Sequence, residues 1–103
     1  MQYIYTIKLI ERLHDLKKWT PEDQQAINQH FEYLKIQMHL GKMILAGRTQ
    51  NEMKDTFGIV IFNAQDDEDA QKFMESDPSI VAGVMIGNLY PYAIALSKFE
   101  NIT

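Results

Sequence analysis

Residues 42–63 read KMILAGRTQNEMKDTFGIVIFN, and their reading decides the fold. Lys42–Arg48 and Thr56–Asn63 carry apolar and β-branched side chains at most positions and read as two strands. The intervening TQNEMKD is turn-like, so the two strands follow one another directly. Upstream, Thr20-Pro21-Glu22-Asp23 marks a helix start. Thr20 can cap, Pro21 suits the first helical position, and Asp23 sits at the reciprocal capping place. That helix should run to about Leu40, with Gly41 as a left-handed stop. Before it, residues 3–10, YIYTIKLI, read as a strand, and residues 11–19, ERLHDLKKW, as a charged connection.

Downstream of the strand pair, Asp66 or Asp67 caps a second helix that runs to about Ser76. Asp77-Pro78 breaks it, because the residue before a proline disfavours the helical region. A helical turn fits Pro78–Gly83. Residues 84–98, VMIGNLYPYAIALSK, read as a long last strand, with Pro91 predicted at an edge or a bulge because it cannot donate to the ladder. The order is β-α-β-β-α-β. This is the ferredoxin-like α+β arrangement, a four-stranded antiparallel sheet with both helices on one face.

The chain of 103 residues and 12.0 kDa is the size of one domain, and we assign residues 1–103 to a single one. Its net charge of −4 argues against nucleic acid as a partner. The absence of cysteine excludes disulfides, thiolate catalysis and Cys-ligated metal. No apolar run reaches the roughly 18 residues of a membrane span. MQYIYTIKLI has neither a basic n-region nor a small-residue cleavage site, so a soluble cytoplasmic protein is expected, with no membrane partner. The acidity is local: residues 66–77 hold six acids and one lysine. A solvated helix start, with acids placed well against the helix dipole, explains this better than a docking site.

The strand faces carry more information. Tyr3, Tyr5, Ile7 and Leu9 share one face of the first strand, with Ile4 and Ile10 on the other. Phe57, Ile59 and Ile61 oppose Val60 and Phe62 in the third. A ferredoxin-like sheet covers one face with helices and should leave the other polar, yet both are apolar here. No segment remains to cover the second face, so a homodimer joined through the sheet faces is expected. In the first helix, Ile27, Phe31, Leu34 and Met38 form a stripe expected to lie on the sheet. Tyr33, Ile36 and Leu40 form a second stripe. Either the 11–19 connection folds over it, with Trp19 close by, or another subunit does.

Three histidines are candidates for chemistry. His14 lies beside Asp15 in a polar connection and reads as a surface residue. His39 lies near the helix C-terminus, where a cation interacts well with the dipole. His30 sits at the margin of the sheet-facing stripe, as either a satisfied structural group or a catalyst. Neither metal-ligand spacing nor a nucleotide-binding or serine-hydrolase motif is present, so no metal and no cofactor are expected. Asp77-Pro78 alone is no more than a helix terminator, and Arg48 alone no more than a surface arginine.

Taken together, His30-Phe31-Glu32-Tyr33-Leu34, Gly41-Lys42-Met43-Ile44-Leu45-Ala46-Gly47, and Asp77-Pro78 followed by Ala82-Gly83 resemble the YCII-related family pattern H-x-x-x-L…G-x-L-L-x-A-G-P…D-P-F/Y-x-x-A-G. The resemblance spans nearly the whole chain. It implies a ferredoxin-like fold that pairs into a dimeric α/β barrel, and a His–Asp active site carried here to His30 and Asp77. Some relatives act on chlorinated or hydroxylated aromatic rings, and muconolactone isomerases use a similar barrel. Arg48 and Ser79 depart from the pattern, replacing the usual proline and aromatic residue, so the substrate does not transfer.

The resulting expectation is a small-molecule enzyme. Asp77 fixes the His30 tautomer, and the free ring nitrogen acts as general acid or base in lyase or isomerase chemistry on a small cyclic or aromatic substrate. Arg48 would hold an anionic group, and Tyr5 or Tyr92 would form an aromatic wall. The rival readings are a non-catalytic small-ligand-binding module and a structural dimerisation domain. A cavity at His30 and Asp77 would count against the last.

Overall fold

A computed structural model describes residues 1–98. Strand β1 (Gln2–Leu9) leads through two short 3₁₀ turns, Glu11–His14 and Leu16–Lys18, to helix α1 (Pro21–His39). The hairpin of β2 (Met43–Arg48) and β3 (Gly58–Asn63) follows, then α2 (Asp67–Glu75), the single turn α3 (Pro78–Val81) and β4 (Met85–Pro91). The strands form one antiparallel sheet in the order β2-β3-β1-β4, the ferredoxin-like arrangement.

Local chemistry places the boundaries. The Thr20 side chain accepts from the Asp23 N–H while the Asp23 carboxylate accepts from the Thr20 N–H, a complete capping box. Asp23 also takes a two-pronged contact from Arg12, at 2.8 Å on each oxygen. These donors hold its carboxyl well below the usual carboxylate range. Gly41, at φ 84°, stops α1 in the left-handed conformation. Asp66 caps α2 by accepting from the Asp69 N–H, so the acidic run serves a helix start.

On the helix-covered face, register sets Tyr3 beside Phe62 and Tyr5 beside Val60 and Leu89. An aromatic cluster fills the layer between sheet and helices. Phe62 and Phe73 stack at 4.3 Å, and Tyr5 meets both rings edge-on. Gly87 lets the helices approach β4, since a Cβ there would lie 2.7 Å from Ile80 Cδ1. The opposite face presents Ile4, Ile59 and Ile61 at the centre and Leu45, Ile86 and Tyr90 at the flanks. Ile86 is 59% exposed and Tyr90 52%. The open face is thus only partly apolar, because Thr6, Lys8 and Asn88 stand between these side chains, whereas the alternation predicts an apolar one.

Three expectations need correction. The last strand ends at Pro91, and residues 92–97 carry no regular structure. Its partner β1 begins at Gln2, whose carbonyl accepts the final rung from the Tyr92 N–H, while the Met1 backbone is bonded to Ala64 instead. Pro91 does lie on an edge strand. The buried line of α1 is Asp23, Ala26, His30 and Leu34, whereas Phe31 and Met38 are 62% and 47% exposed. The helix is rotated from the apolar reading because two polar residues on that line find partners, Asp23 in Arg12 and His30 in Asp77. Finally, the 11–19 connection does not cover Tyr33, Ile36 and Leu40. Leu13 and Trp19 pack with Ala26, Ile27 and Val84 at the other end of the helix. Tyr33 instead packs on α2, donating its hydroxyl to the Phe73 carbonyl at 2.8 Å.

Candidate active site

His30 occupies the middle of the inner line of α1 and is 3% exposed, at the centre of that line rather than its margin. Its Nδ1–H points at the Asp77 carboxylate, 2.8 Å from each oxygen. Asp77 is fully buried and caps α3, where Pro78 takes the first helical position. One Asp77 oxygen accepts from the Tyr5 hydroxyl at 2.7 Å. The other accepts from the Ser79 N–H at 3.0 Å and the Ser79 hydroxyl at 2.8 Å. Three elements of structure thus meet at one carboxylate: β1 through Tyr5, α1 through His30, and α3 through its cap Asp77 and Ser79.

The electrostatics follow from these contacts. Burial opposes ionisation of Asp77, but the hydrogen bonds and charge of His30, with those of Tyr5 and Ser79, outweigh it and hold the carboxyl below its ordinary value. Loss of water, then the charge of the same carboxylate, pushes the Tyr5 phenol far up, so it remains a donor. Burial, then the Asp77 charge, pushes Tyr33 up to about 12.

A cavity of about 640 Å³ opens beside His30, within the range typical of small-molecule sites. Helix α1 contributes His30, Phe31, Leu34, Lys35 and Met38 to its wall. The sheet contributes Ile7, Met43, Arg48 and Val60, and the β2–β3 loop closes it with Met53 and Phe57. His30 lines this space while Nδ1 is engaged by Asp77, so Nε2 is the nitrogen left for a ligand. Asp77 lies behind the ring and off the wall. Phe31 and Met38, the members of the apolar stripe of α1 that missed the core, are therefore part of the cavity wall.

The structure brings His30 and Asp77 together and puts Arg48 in the same cavity. Tyr5 is no aromatic wall: it is fully buried beneath Asp77, because its hydroxyl is drawn to that carboxylate. Tyr92 stands apart in a shallow hollow with Met1, Gln2 and Asn63, since it follows the end of β4 at the opposite rim of the sheet. His14 donates Nε2–H to the Leu9 carbonyl at 3.2 Å, and His39 is exposed on the surface. Sequence reasoning missed Lys35 as a lining residue. Its spacing of four from Phe31 is the signal that it shares that stripe. Ser79 stood out only as a departure from a pattern, yet it supplies two bonds to Asp77. No group of three or more His, Cys, Asp or Glu able to hold a metal ion occurs among the described residues, and no helix is long and apolar enough to cross a membrane.

The sequence profile of the YCII-related domain matches residues 1–88. Among solved structures, the chain is similar to a 5-chloro-2-hydroxyhydroquinone dehydrochlorinase from Burkholderia phenoliruptrix in complex with 2,5-dihydroxybenzoquinone. The TM-score is 0.59 and the identity 20%, over 90% of this chain and 94% of that one. No curated protein matches the chain in sequence.

Proposed function

The chain belongs to the YCII-related domain family, and from that premise we propose that it is a small-molecule enzyme using His30 and Asp77 as a general acid/base pair. The observation that carries the reading is the placement of His30 between a buried carboxylate and an open cavity. Asp77 holds the Nδ1–H tautomer, so a neutral His30 offers the Nε2 lone pair to the cavity. Nε2 takes a proton from a substrate C–H or O–H, and the buried carboxylate stabilises the imidazolium that forms. The proton is then returned at another atom, as in an isomerase, or the substrate's electron pair expels a leaving group, as in a lyase. Among the described lining residues there is no serine or cysteine, which favours these reactions over acyl transfer. The largely apolar wall suits a small cyclic or aromatic substrate.

The reading includes a homodimer joined through the open sheet faces. It is supported by the exposed Leu45, Ile86 and Tyr90 on the face opposite the helices, which also carries Thr6, Lys8 and Asn88.

The test is a thermal-shift screen of hydroxylated quinones, phenols and lactones, beginning with 2,5-dihydroxybenzoquinone, the ligand of the structural neighbour. Compounds that stabilise the protein are then followed by NMR for turnover with the wild type and with His30→Gln. Stabilisation with turnover that vanishes in His30→Gln is expected. Binding with no turnover would leave a binding module, and a cavity that takes none of these rings would overturn the substrate class.

A further inference from the structure

The whole chain is acidic, with a net charge of −4 and fourteen Asp and Glu residues. The cavity wall is not. Among its described lining residues there is no Asp or Glu, while Lys35 and Arg48 both contribute. The one nearby buried carboxylate, Asp77, is kept off the wall by His30 and bound by internal donors. An acidic protein has thus excluded negative charge from this concave, largely apolar space and placed cations there. A pocket with walls of one sign focuses its field on an oppositely charged ligand.

Arg48 is the sharper of the two cations. It ends β2 on the face that looks toward α1, paired across the ladder with Gly58. Gly58 leaves the space beside it free of a side chain: a Cβ there would lie 3.0 Å from Ile7 Cγ1. The Arg48 side chain forms no ion pair or hydrogen bond among the described residues. Elsewhere the chain uses its cations: Arg12 grips Asp23, and Lys42 pairs with Asp69 at 3.0 Å. Among the described residues Lys35 meets only Glu32, at 4.0 Å between two exposed side chains.

We infer that the cavity selects anionic substrates, specifically a planar oxyanion carried on a small apolar ring. Arg48 binds the oxyanion through its guanidinium fork, and Lys35 adds attraction at the wall. This deepens the proposed function by naming the charge of the substrate, and it rests on that reading only for the chemistry at His30. A planar fork matches a carboxylate or an ionised ring hydroxyl, whereas a lysine would act as a point charge. The ring packs against Phe31, Leu34 and Met38, and the oxyanion end sets the orientation in which the other end meets Nε2.

The experiment measures binding by calorimetry with two matched pairs of probes. Benzoate against benzamide tests the carboxylate, and 4-nitrophenolate, above the pKa of the phenol, against 4-nitroanisole tests the ring oxyanion. Wild type, Arg48→Gln, Arg48→Lys and Lys35→Gln are compared. In the wild type, at least one anion should bind about tenfold or more tighter than its neutral partner, with affinity falling as salt rises. Arg48→Gln should abolish that preference, Arg48→Lys should restore part of it, and Lys35→Gln should reduce it by a smaller factor. Which pair discriminates tells which oxyanion is preferred. Equal or tighter binding of both neutral probes, the absence of binding by either anion, or a preference that survives Arg48→Gln would overturn the inference. Turnover of neutral rings that depends on His30 would overturn the charge assignment and keep the enzyme. Selective anion binding without any turnover would do the reverse.

Discussion

The Tyr5 hydroxyl donates to Asp77 Oδ2 at 2.7 Å, across a sequence separation of 72 residues. That bond ties β1, one of the two central strands of the sheet, to the residue that holds His30, so the geometry of the histidine is set by the sheet as well as by its own helix. Tyr5 is held in turn by Phe62 and Phe73, whose rings it meets edge-on.

Tyr5→Phe should therefore destabilise the protein by about 1–3 kcal/mol, the usual cost of leaving a buried acceptor short of a donor. The aromatic packing is kept, so the loss reports the hydrogen bond. Chemical denaturation at neutral pH measures it, and a variant as stable as the wild type would show that Asp77 does not need this donor.

Asp77 also predicts a pH dependence. Its carboxyl is held below the ordinary value in the folded chain. Its contribution to stability is then fully present above the unfolded carboxyl pKa of about 4 and is lost as pH falls through the lower folded value. Asp77→Asn should flatten part of the acid limb of a stability–pH curve, the remainder belonging to groups such as Asp23 and Asp69, which are also held low. Denaturation midpoints recorded down the acid range would refute this if wild type and variant lost stability in parallel.

His30→Leu should cost less than about 2 kcal/mol, because Tyr5 and Ser79 continue to hold Asp77. Asp77→Ala should cost about 3 kcal/mol or more, since it strands several buried donors and removes the α3 cap. The double change His30→Leu with Asp77→Asn separates the two, as neighbours are not additive. A loss above about 2 kcal/mol in both His30 variants, at unchanged oligomeric state, would make His30 a structural residue.

The sheet-face dimer predicts sedimentation at twice the chain mass of 12.0 kDa at micromolar concentration. An interface of this type should bury more than about 1,000 Å². Ile86→Glu, on the open face of the edge strand, should shift the protein to monomer while leaving its circular dichroism unchanged. A wild type that sediments as a monomer would exclude the dimer.

Gly87→Ala tests the close approach of the helices to β4. The added methyl would lie 2.7 Å from Ile80 Cδ1 and 3.0 Å from Met74 Sδ. Overpacking of this kind costs about 1–3 kcal/mol, so thermal unfolding should move to lower temperature. An unchanged midpoint would mean that the Ile80 and Met74 side chains give way freely.

The sequence makes the framework readable because caps and alternation are local signals. Thr20 with Asp23, Gly41, Asp66 and the inner face of β1 each depend on neighbours within a few residues, and each is found where expected, whereas Ile10 leaves the outer face and packs with Leu13 and Val84. The orientation of α1 is less legible. A wheel that counts apolar residues centres on Ile27, Phe31, Leu34 and Met38, whereas the true inner line includes Asp23 and His30. Their partners, Arg12 and Asp77, lie 11 and 47 residues away, so no local pattern reveals that these polar groups are satisfied. The same blindness put Tyr5 in the cavity. Alternation gives the face of a strand, but not whether a hydroxyl stops at a buried carboxylate. Tyr92 departs from the expectation for another reason: its N–H makes the last rung, to the Gln2 carbonyl, and periodicity continues past the point where pairing stops.

Asp77 answers to two constraints at once, as the cap of α3 and as the anchor of His30. On the proposed function, replacing the histidine would silence the chemistry and leave the fold standing, whereas replacing the aspartate would undo both the α3 cap and the hold on the ring.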